Sequence, residues 1–343
     1  MTPRLSADWI WGLSWEENAA GGALPNRRLL LSSRVITTAL LPIALFFLYK
    51  AIQNTYSNKT ALITVILLGL NPLFLLHGRR AMNEAAALAG ICFFLWAISQ
   101  EKIRPWLVGI AMAAAFNAKQ SAIALLPIGI IAVCKPFKIR SDPNSIAKRI
   151  VVFGLFFTVI TFMLNPFFWK HPLRAALASR EITAELQANQ LNDYYPRQED
   201  AKKQTIPYQA LALFSNLYYS QPSTADVGNY LAEIESQEEQ YFKIPLHNLG
   251  RSLIPAAVFL ILSLSGFMIG ALRLKSSGTI MPKPAVLFLL ATIIQFFTIL
   301  FLLPLPWQRY VVPLLPFTCL WTAVGLSPIF EILKLKQSPD VKH

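Results

Sequence analysis

Charge is scarce in this chain. Only 14% of its 343 residues are Asp, Glu, Lys or Arg, against 55% hydrophobic residues and a mean hydropathy of +0.46. A water-soluble domain carries roughly 25% charged residues, so that class is excluded. Cysteine is rare too: Cys92, Cys134 and Cys319 lie within or at the edge of apolar runs. They offer no disulfide framework, and small packing residues are their simplest role. The first apolar run follows 34 mostly polar residues and lacks the charged region, short core and small-residue cleavage site of a secretory signal. No internal repeat is visible.

Long apolar runs are what the chain has instead. Charge-free stretches stand at Val35 to Tyr49, Ala61 to Leu76, Ala85 to Ser99, Trp106 to Ala118, Ser121 to Cys134, Ile150 to Trp169, Leu253 to Leu272, Ala285 to Leu305 and Val311 to Phe330. Some approach the ~20 residues a helix needs to cross hydrocarbon, while the shorter ones must tilt, pack against neighbours or re-enter. The pattern predicts an all-α polytopic membrane protein with about eight transmembrane helices and a partly helical extracytoplasmic loop.

The formal charge of +13 does not indicate nucleic acid, because Lys and Arg are spread among loops and are not gathered on a soluble face with aromatic stacking residues. It fits a membrane better. Lys135, Lys138, Arg140, Lys148 and Arg149 fill one loop, Arg273, Lys275 and Lys283 another, and Lys334, Lys336 and Lys342 lie in the tail. The positive-inside rule makes these cytoplasmic and puts Lys170 to Gly250 outside. Trp106 to Cys134 is one long crossing or two short helices meeting at Lys119. The cation count alone favours one crossing. A hairpin is nevertheless expected, since the segment overshoots a crossing and a Lys119-Gln120 pair mid-membrane is costly.

The expected organisation is an extracytoplasmic segment over 1–34, an N-terminal transmembrane bundle over 35–169, an outer subdomain over 170–250, C-terminal transmembrane helices over 251–334 and a cytoplasmic tail over 335–343. Within the outer subdomain, of about 80 residues, Leu173, Leu177 and Ala184 alternate with Arg174, Arg180, Glu181 and Glu185 as on an amphipathic helix. Tyr208, Leu211, Phe214, Leu217 and Tyr218 form an aromatic and apolar stripe suited to an interface or a packed face. The acids between Asp226 and Glu239 read as a solvated face.

Two places put arginine where hydrocarbon gives way to outer water: His77-Gly78-Arg79-Arg80-Ala81-Met82-Asn83-Glu84, and Pro306-Trp307-Gln308-Arg309-Tyr310. One interfacial cation is explained by snorkelling, but an adjacent pair on the side that usually lacks cations points to an anion. Lys119, between two apolar half-helices, is a second phosphate contact, because irregular backbone at that depth is tolerated where it lines a cavity. Arg309 brings a planar fork suited to phosphate beside the aromatics Trp307 and Tyr310, and prolines 304, 306, 313 and 316 should break the helix around it. The predicted lipid-phosphate set is Arg79, Arg80, Lys119 and Arg309, with Tyr310, Gln120 and Asn83 lining the pocket. Glu84 is accounted for by the helix macrodipole, with a role as acceptor at the site standing beside that account. His77, His171 and His247 lack the spacing of a metal site; no cofactor is implied, and a divalent cation stays an open alternative.

At these residues the chain resembles the dolichyl-phosphate-mannose protein mannosyltransferase-like family, GT-C class glycosyltransferases that use polyprenyl-phosphate sugars. The segment Ala111 to Ala122 followed by Leu125-Leu126-Pro127 is similar to that family's small-residue, Lys, Leu-Pro segment. Asn71-Pro72 to Glu84 resembles its short outer loop, Asn165 to Leu173 its Asn-Pro-x-x-Trp turn, and Arg309-Tyr310 to Pro316 its late Arg-Tyr-x-x-Pro-x-x-Pro helix.

The resemblance implies transfer of a sugar from a polyprenyl-phosphate donor to a protein, lipid or glycan acceptor on the extracytoplasmic face of the cell membrane. The family carries its catalytic carboxylate in an outer loop after a preceding helix, whereas here Met1 falls within what resembles the end of that loop. The expectation is therefore a truncated product or a start codon placed too late, with activity of the chain as written left open and Asp8, Glu17 and Glu84 as stand-in candidates for the base. Two other classes stay open: an anion or lipid transporter with Lys119 in a broken helix, and a non-catalytic protein that binds a lipid phosphate.

Overall fold

The computed structural model describes residues 15–21, 27–80, 82–134, 143–194, 205–224, 231–276, 284–302, 305 and 307–337. They form helices joined by short turns, and the chain is an all-α, multi-pass membrane protein. Five helices are long and apolar enough to cross a membrane: Leu30–Thr55, Asn144–Leu164, Leu253–Arg273, Pro284–Phe301 and Gln308–Pro328. A sixth crossing is obtained if Asn58–Gly69 and Pro72–Arg79, bent by 61°, count as one broken span. The apolar helices Glu84–Ile98, Pro105–Ala118 and Gln120–Cys134 are shorter than a full crossing, so the expected eight spans reduce to five or six by length.

The helices are α1 (Trp15–Ala20), α2 (Arg27–Thr55), α3 (Asn58–Gly69), α4 (Pro72–Arg79), α5 (Glu84–Ile98), α6 (Pro105–Ala118), α7 (Leu126–Cys134), α8 (Pro143–Leu164), α9 (Pro172–Tyr194), α10 (Ile206–Phe214), α11 (Leu231–Phe242), α12 (Leu253–Ser276), α13 (Pro284–Leu302), α14 (Gln308–Val311) and α15 (Leu315–Gln337). In space they run as a row in which α8 packs on α6, α6 on α5, α5 on α2, α2 on α3, α3 on α15 and α15 on α12. Small residues set these contacts, since lipid gives apolar side chains little reason to leave it and close backbone packing supplies the attraction. A Cβ on Gly90 would stand 2.6 Å from Ala115 Cα, and one on Gly109 2.6 Å from the Phe153 carbonyl.

The bend between α3 and α4 is written in Asn71-Pro72. Asn71 takes extended backbone, its side-chain oxygen accepts the Leu73 N–H at 2.9 Å, and Pro72 occupies the first helical position, where no N–H is needed. Asn165-Pro166 repeats the device at a 3₁₀ turn, with Asn165 capping Phe167 at 3.2 Å.

The segment from α6 to α7 is a hairpin. Lys119 stands in extended backbone (φ −152°, ψ 118°) between α6 and a 3₁₀ turn over Gln120–Leu125. Arg149, at the start of α8, closes its base: Nε donates to the Val133 carbonyl at 2.6 Å and Nη2 to the Ile103 carbonyl at 3.0 Å. One guanidinium thus touches both ends of the excursion, which puts Lys119 at its far tip. The expected break around Arg309 is present as the single turn α14 and a 3₁₀ turn over Val312–Leu314 holding Pro313, while Pro304 and Pro306 lie outside the described residues.

In the outer segment α9 leaves Leu173, Leu177 and Ile182 exposed, an apolar edge without cover among the described residues. The predicted stripe from Tyr208 to Tyr218 becomes α10 and a π turn over Ser215–Tyr219, with Leu213 and Leu217 buried. Glu235 and Glu239 of α11 are exposed; Asp226 lies outside the described residues. Cys92 and Cys319 are buried and Cys134 partly so, all three as free thiols.

Candidate functional site

Four separated stretches meet at the tip of the α6–α7 hairpin. Glu84, at the first position of α5, is 2% exposed, and its Oε1 faces Lys119 Nζ at 3.5 Å. Lys119 also donates to the Arg309 carbonyl at 2.8 Å, tying the hairpin tip to α14 across 190 residues of sequence. The Tyr310 ring lies 5.6 Å from Lys119 Nζ and 5.5 Å from the Arg309 guanidinium, and the Trp307 ring 4.5 Å from that same guanidinium. Trp307 and Tyr310 are themselves stacked at 5.5 Å. Aromatic faces therefore hold both cations by their ring quadrupoles and fix their direction.

His77 completes the cluster. It is fully buried in α4, and among the described residues neither ring nitrogen meets a hydrogen-bond partner. The charges of Arg80, Lys119, Arg309 and Arg251 all act on it. A buried imidazole without a partner is expensive unless something else supplies its hydrogen bonds. Oε2 of Glu84 is likewise buried without a partner. Sequence reasoning set His77 aside for want of a second metal ligand nearby. The signal available was its place two residues before an arginine pair, at i−3 from Arg80.

The other predicted residues are dispersed. Arg79 is exposed and turned to the outer segment: Nε donates to the Leu75 carbonyl at 2.7 Å, and Nη2 lies 3.1 Å from His247 Nε2 and 3.4 Å from the Tyr241 hydroxyl. His247 stacks on Tyr241 with centroids 3.8 Å apart and holds the Tyr241 carbonyl through Nδ1 at 2.7 Å. Burial raises the Tyr241 hydroxyl above its ordinary range, partly offset by Arg79. Arg79 and Arg80 are thus adjacent in sequence but differ in surroundings: Arg79 contacts Tyr241 of α11 and His247, while the charge of Arg80 acts on His77.

Gln120 is exposed and donates to Ser179 of α9 at 3.4 Å. Asn83 is exposed at the start of α5 with no side-chain cap bond. Glu17 is exposed on α1, and Asp8 lies outside the described residues. His171 is exposed. Among the described residues no group of three or more His, Cys, Asp or Glu stands close enough to hold a metal ion.

An apolar groove of about 390 Å³ is lined by Phe47 of α2, Ala89, Gly90 and Phe93 of α5, and Asn117 and Ala118 of α6, the last two immediately before Lys119 in sequence. Ile43 and Leu164 at its margin are 44% and 57% exposed, so it opens toward lipid. Gly90 is what lets α5 and α6 close behind it without filling it.

Residues 28–168 match the family described as dolichyl-phosphate-mannose-protein mannosyltransferase. Comparison with curated proteins finds no match. Among solved structures, the Archaeoglobus fulgidus oligosaccharyltransferase in complex with Zn and sulfate aligns at 13% identity and a TM-score of 0.52, over 93% of this chain and 40% of that one. The same enzyme tethered to an acceptor peptide aligns at 13% identity and a TM-score of 0.50, over 94% and 41%. At that identity the likeness is one of fold, and this chain spans about two fifths of those structures' length. The chain thus resembles the mannosyltransferase family, of the GT-C class, in sequence over 28–168 and resembles a polytopic glycosyltransferase in fold over nearly its whole length.

Proposed function

We propose that this chain is a glycosyltransferase that takes a sugar from a polyprenyl-phosphate donor and passes it to an acceptor on the extracytoplasmic face. The observation that carries the reading is the tie of Lys119 to both Glu84 and the Arg309 carbonyl, next in sequence to Asn117 and Ala118, which line a lipid-facing apolar groove. A polyprenyl phosphate has the two matching parts, an apolar chain for the groove and an anion for the cations. The family match over 28–168 covers the groove, Arg80, Glu84 and Lys119, and the charge bias of the loops puts the hairpin tip outside.

In this reading the donor phosphate is held by Arg80, Lys119 and Arg309, and His77 supplies a hydrogen bond to a phosphate oxygen. Glu84 positions Lys119 through its 3.5 Å contact. An acceptor hydroxyl attacks the anomeric carbon. The bond from that carbon to the phosphate oxygen breaks, and the donor leaves as a polyprenyl phosphate monoester carrying one more negative charge. Cations fixed before the reaction stabilise that developing charge more than the diester, which is what accelerates the step. The acceptor's proton passes to a carboxylate, for which Glu84 Oε2 is the candidate among the described residues. The acceptor peptide in the archaeal fold relative favours a protein acceptor over a lipid or glycan.

The test is transfer of radiolabelled hexose from a synthetic polyprenyl-phosphate hexose to peptide, glycan or lipid acceptors by the full chain in proteoliposomes. Transfer that falls at least about tenfold in Arg309→Gln supports the reading, ten-fold being the loss of one charge-assisted hydrogen bond. Donor bound at the wild-type level in that variant overturns the phosphate site. Binding without transfer to any acceptor leaves a lipid-phosphate binder and overturns the enzymatic part.

A further inference from the structure

A second cavity, of about 110 Å³, lies apart from the groove. Its walls come from the α3–α4 bend, the π turn, the start of α12 and the middle of α15, and the group that distinguishes it is Arg251. Arg251 is 8% exposed, just outside the span that begins at Leu253. Gly250 before it has φ +75°, and a Cβ there would stand 3.1 Å from the Phe259 ring, so the chain turns inward at a position that suits glycine.

All of Arg251's partners are neutral. Nη1 donates to the Asn216 carbonyl at 2.8 Å and the Ser220 carbonyl at 3.4 Å, and Nη2 to Asn71 Oδ1 at 3.3 Å. A guanidinium has five N–H donors; with three used, the Nε–H and one Nη2 hydrogen are left over, donors of the kind that meet the oxygens of a phosphate or carboxylate. Burial lowers the Arg251 pKa to about 10, still far above neutral pH, so the group is a buried cation with no carboxylate beside it among the described residues. Such a charge is costly unless an anion answers it. Around the cavity Leu70 and Leu249 are 43% and 49% exposed, and Leu253 and Ile254 beyond them 74% and 77%. The approach to Arg251 is therefore across apolar surface at a span's end.

We propose that this cavity binds the phosphate of a membrane lipid, the head group on the Arg251 fork and the chains along Leu70, Leu249 and Leu253. Its lining shares no residue with the groove, although the charge of Arg251 also acts on His77, and the proposal does not rest on glycosyl transfer. The cavity joins the bend that carries Arg80 and His77 to α12 and α15, so a lipid there fastens the two halves of the row together.

The experiment uses the purified full chain in detergent and phosphatidic acid with a diazirine near the head of its acyl chain, the cross-linked residues being mapped by mass spectrometry. Adducts are expected at Leu67–Leu70 and Leu249–Ile254, falling at least about tenfold in Arg251→Met, the loss of one charge-assisted fork. Leu70→Trp, which fills the mouth and leaves the three Arg251 hydrogen bonds in place, should lower them as strongly and carries the test if Arg251→Met does not fold. The same diazirine on a diacylglycerol, which lacks the phosphate, should label these residues at least tenfold less. Equal labelling by the diacylglycerol, or wild-type labelling in the folded variants, overturns the proposal. Displacement of the lipid by an equal concentration of inorganic phosphate overturns it in favour of a free-anion site.

Discussion

Replacing Lys119 by Met separates its structural role from its role toward a ligand. The substitution removes the 3.5 Å contact to Glu84, the 2.8 Å hydrogen bond to the Arg309 carbonyl and the cation over Tyr310. Glu84, 2% exposed, is then a buried carboxylate without its cation. Breaking a buried ion pair from one side costs about 3–5 kcal/mol. The 3.5 Å separation and the 11% exposure of the lysine side chain put this pair at the lower end, about 3 kcal/mol. The double variant Glu84→Gln/Lys119→Met carries neither charge and keeps only the losses toward the Arg309 carbonyl and the Tyr310 ring, about 1.5 kcal/mol. In thermal unfolding of the detergent-solubilised chain, at about 2–4 °C per kcal/mol, Lys119→Met should fall by about 6–12 °C and the double variant by about 3–6 °C. A double variant at least as unstable as Lys119→Met, or a Lys119→Met shift below about 2 °C, refutes the argument that Glu84 and Lys119 hold one another.

Three further outcomes follow from the packing. Gly266→Val should prevent α12 from closing on α15, because the new Cβ would stand 2.6 Å from the Gly325 nitrogen and against the Trp321 backbone; folded yield after purification should drop several-fold, and an unchanged yield contradicts the close packing. Arg149→Met opens the base of the hairpin and should cost about 2–3 kcal/mol, one or two charged hydrogen bonds, measured as a lower unfolding midpoint. Arg79→Ala releases the Tyr241–His247 clamp, so limited proteolysis within 231–242 should speed at least about threefold while affinity for a polyprenyl phosphate stays within about twofold of wild type; a tenfold loss of affinity would return Arg79 to the phosphate site.

Membrane character, the break at Lys119 and the joining of Lys119 to Arg309 were legible in the sequence because each rests on a local energetic conflict. A lysine flanked by apolar half-helices cannot rest in hydrocarbon, and Asn-Pro writes a capped bend wherever it occurs. The number of full crossings was not legible, since Glu84–Ile98 and Pro105–Ala118 are as apolar as spans and differ only in length and neighbours. Arg79 and Arg80 show the same limit: adjacent residues at a helix end point apart, and only the fold shows that one meets α11. The setting of Arg251 was not legible, because its neutral surroundings are assembled from Asn71, Asn216 and Ser220, far apart in sequence.

The phosphate site is tested most directly by equilibrium binding of a polyprenyl phosphate and its parent polyprenol to the chain in nanodiscs. Arg309→Gln should weaken binding of the phosphate about 10-fold, removal of the phosphate, which deletes every contact to it, at least about 100-fold, and Arg309→Gln should change polyprenol binding little. Polyprenol bound as tightly as the phosphate, or Arg309→Gln and wild type equal toward the phosphate, would contradict it.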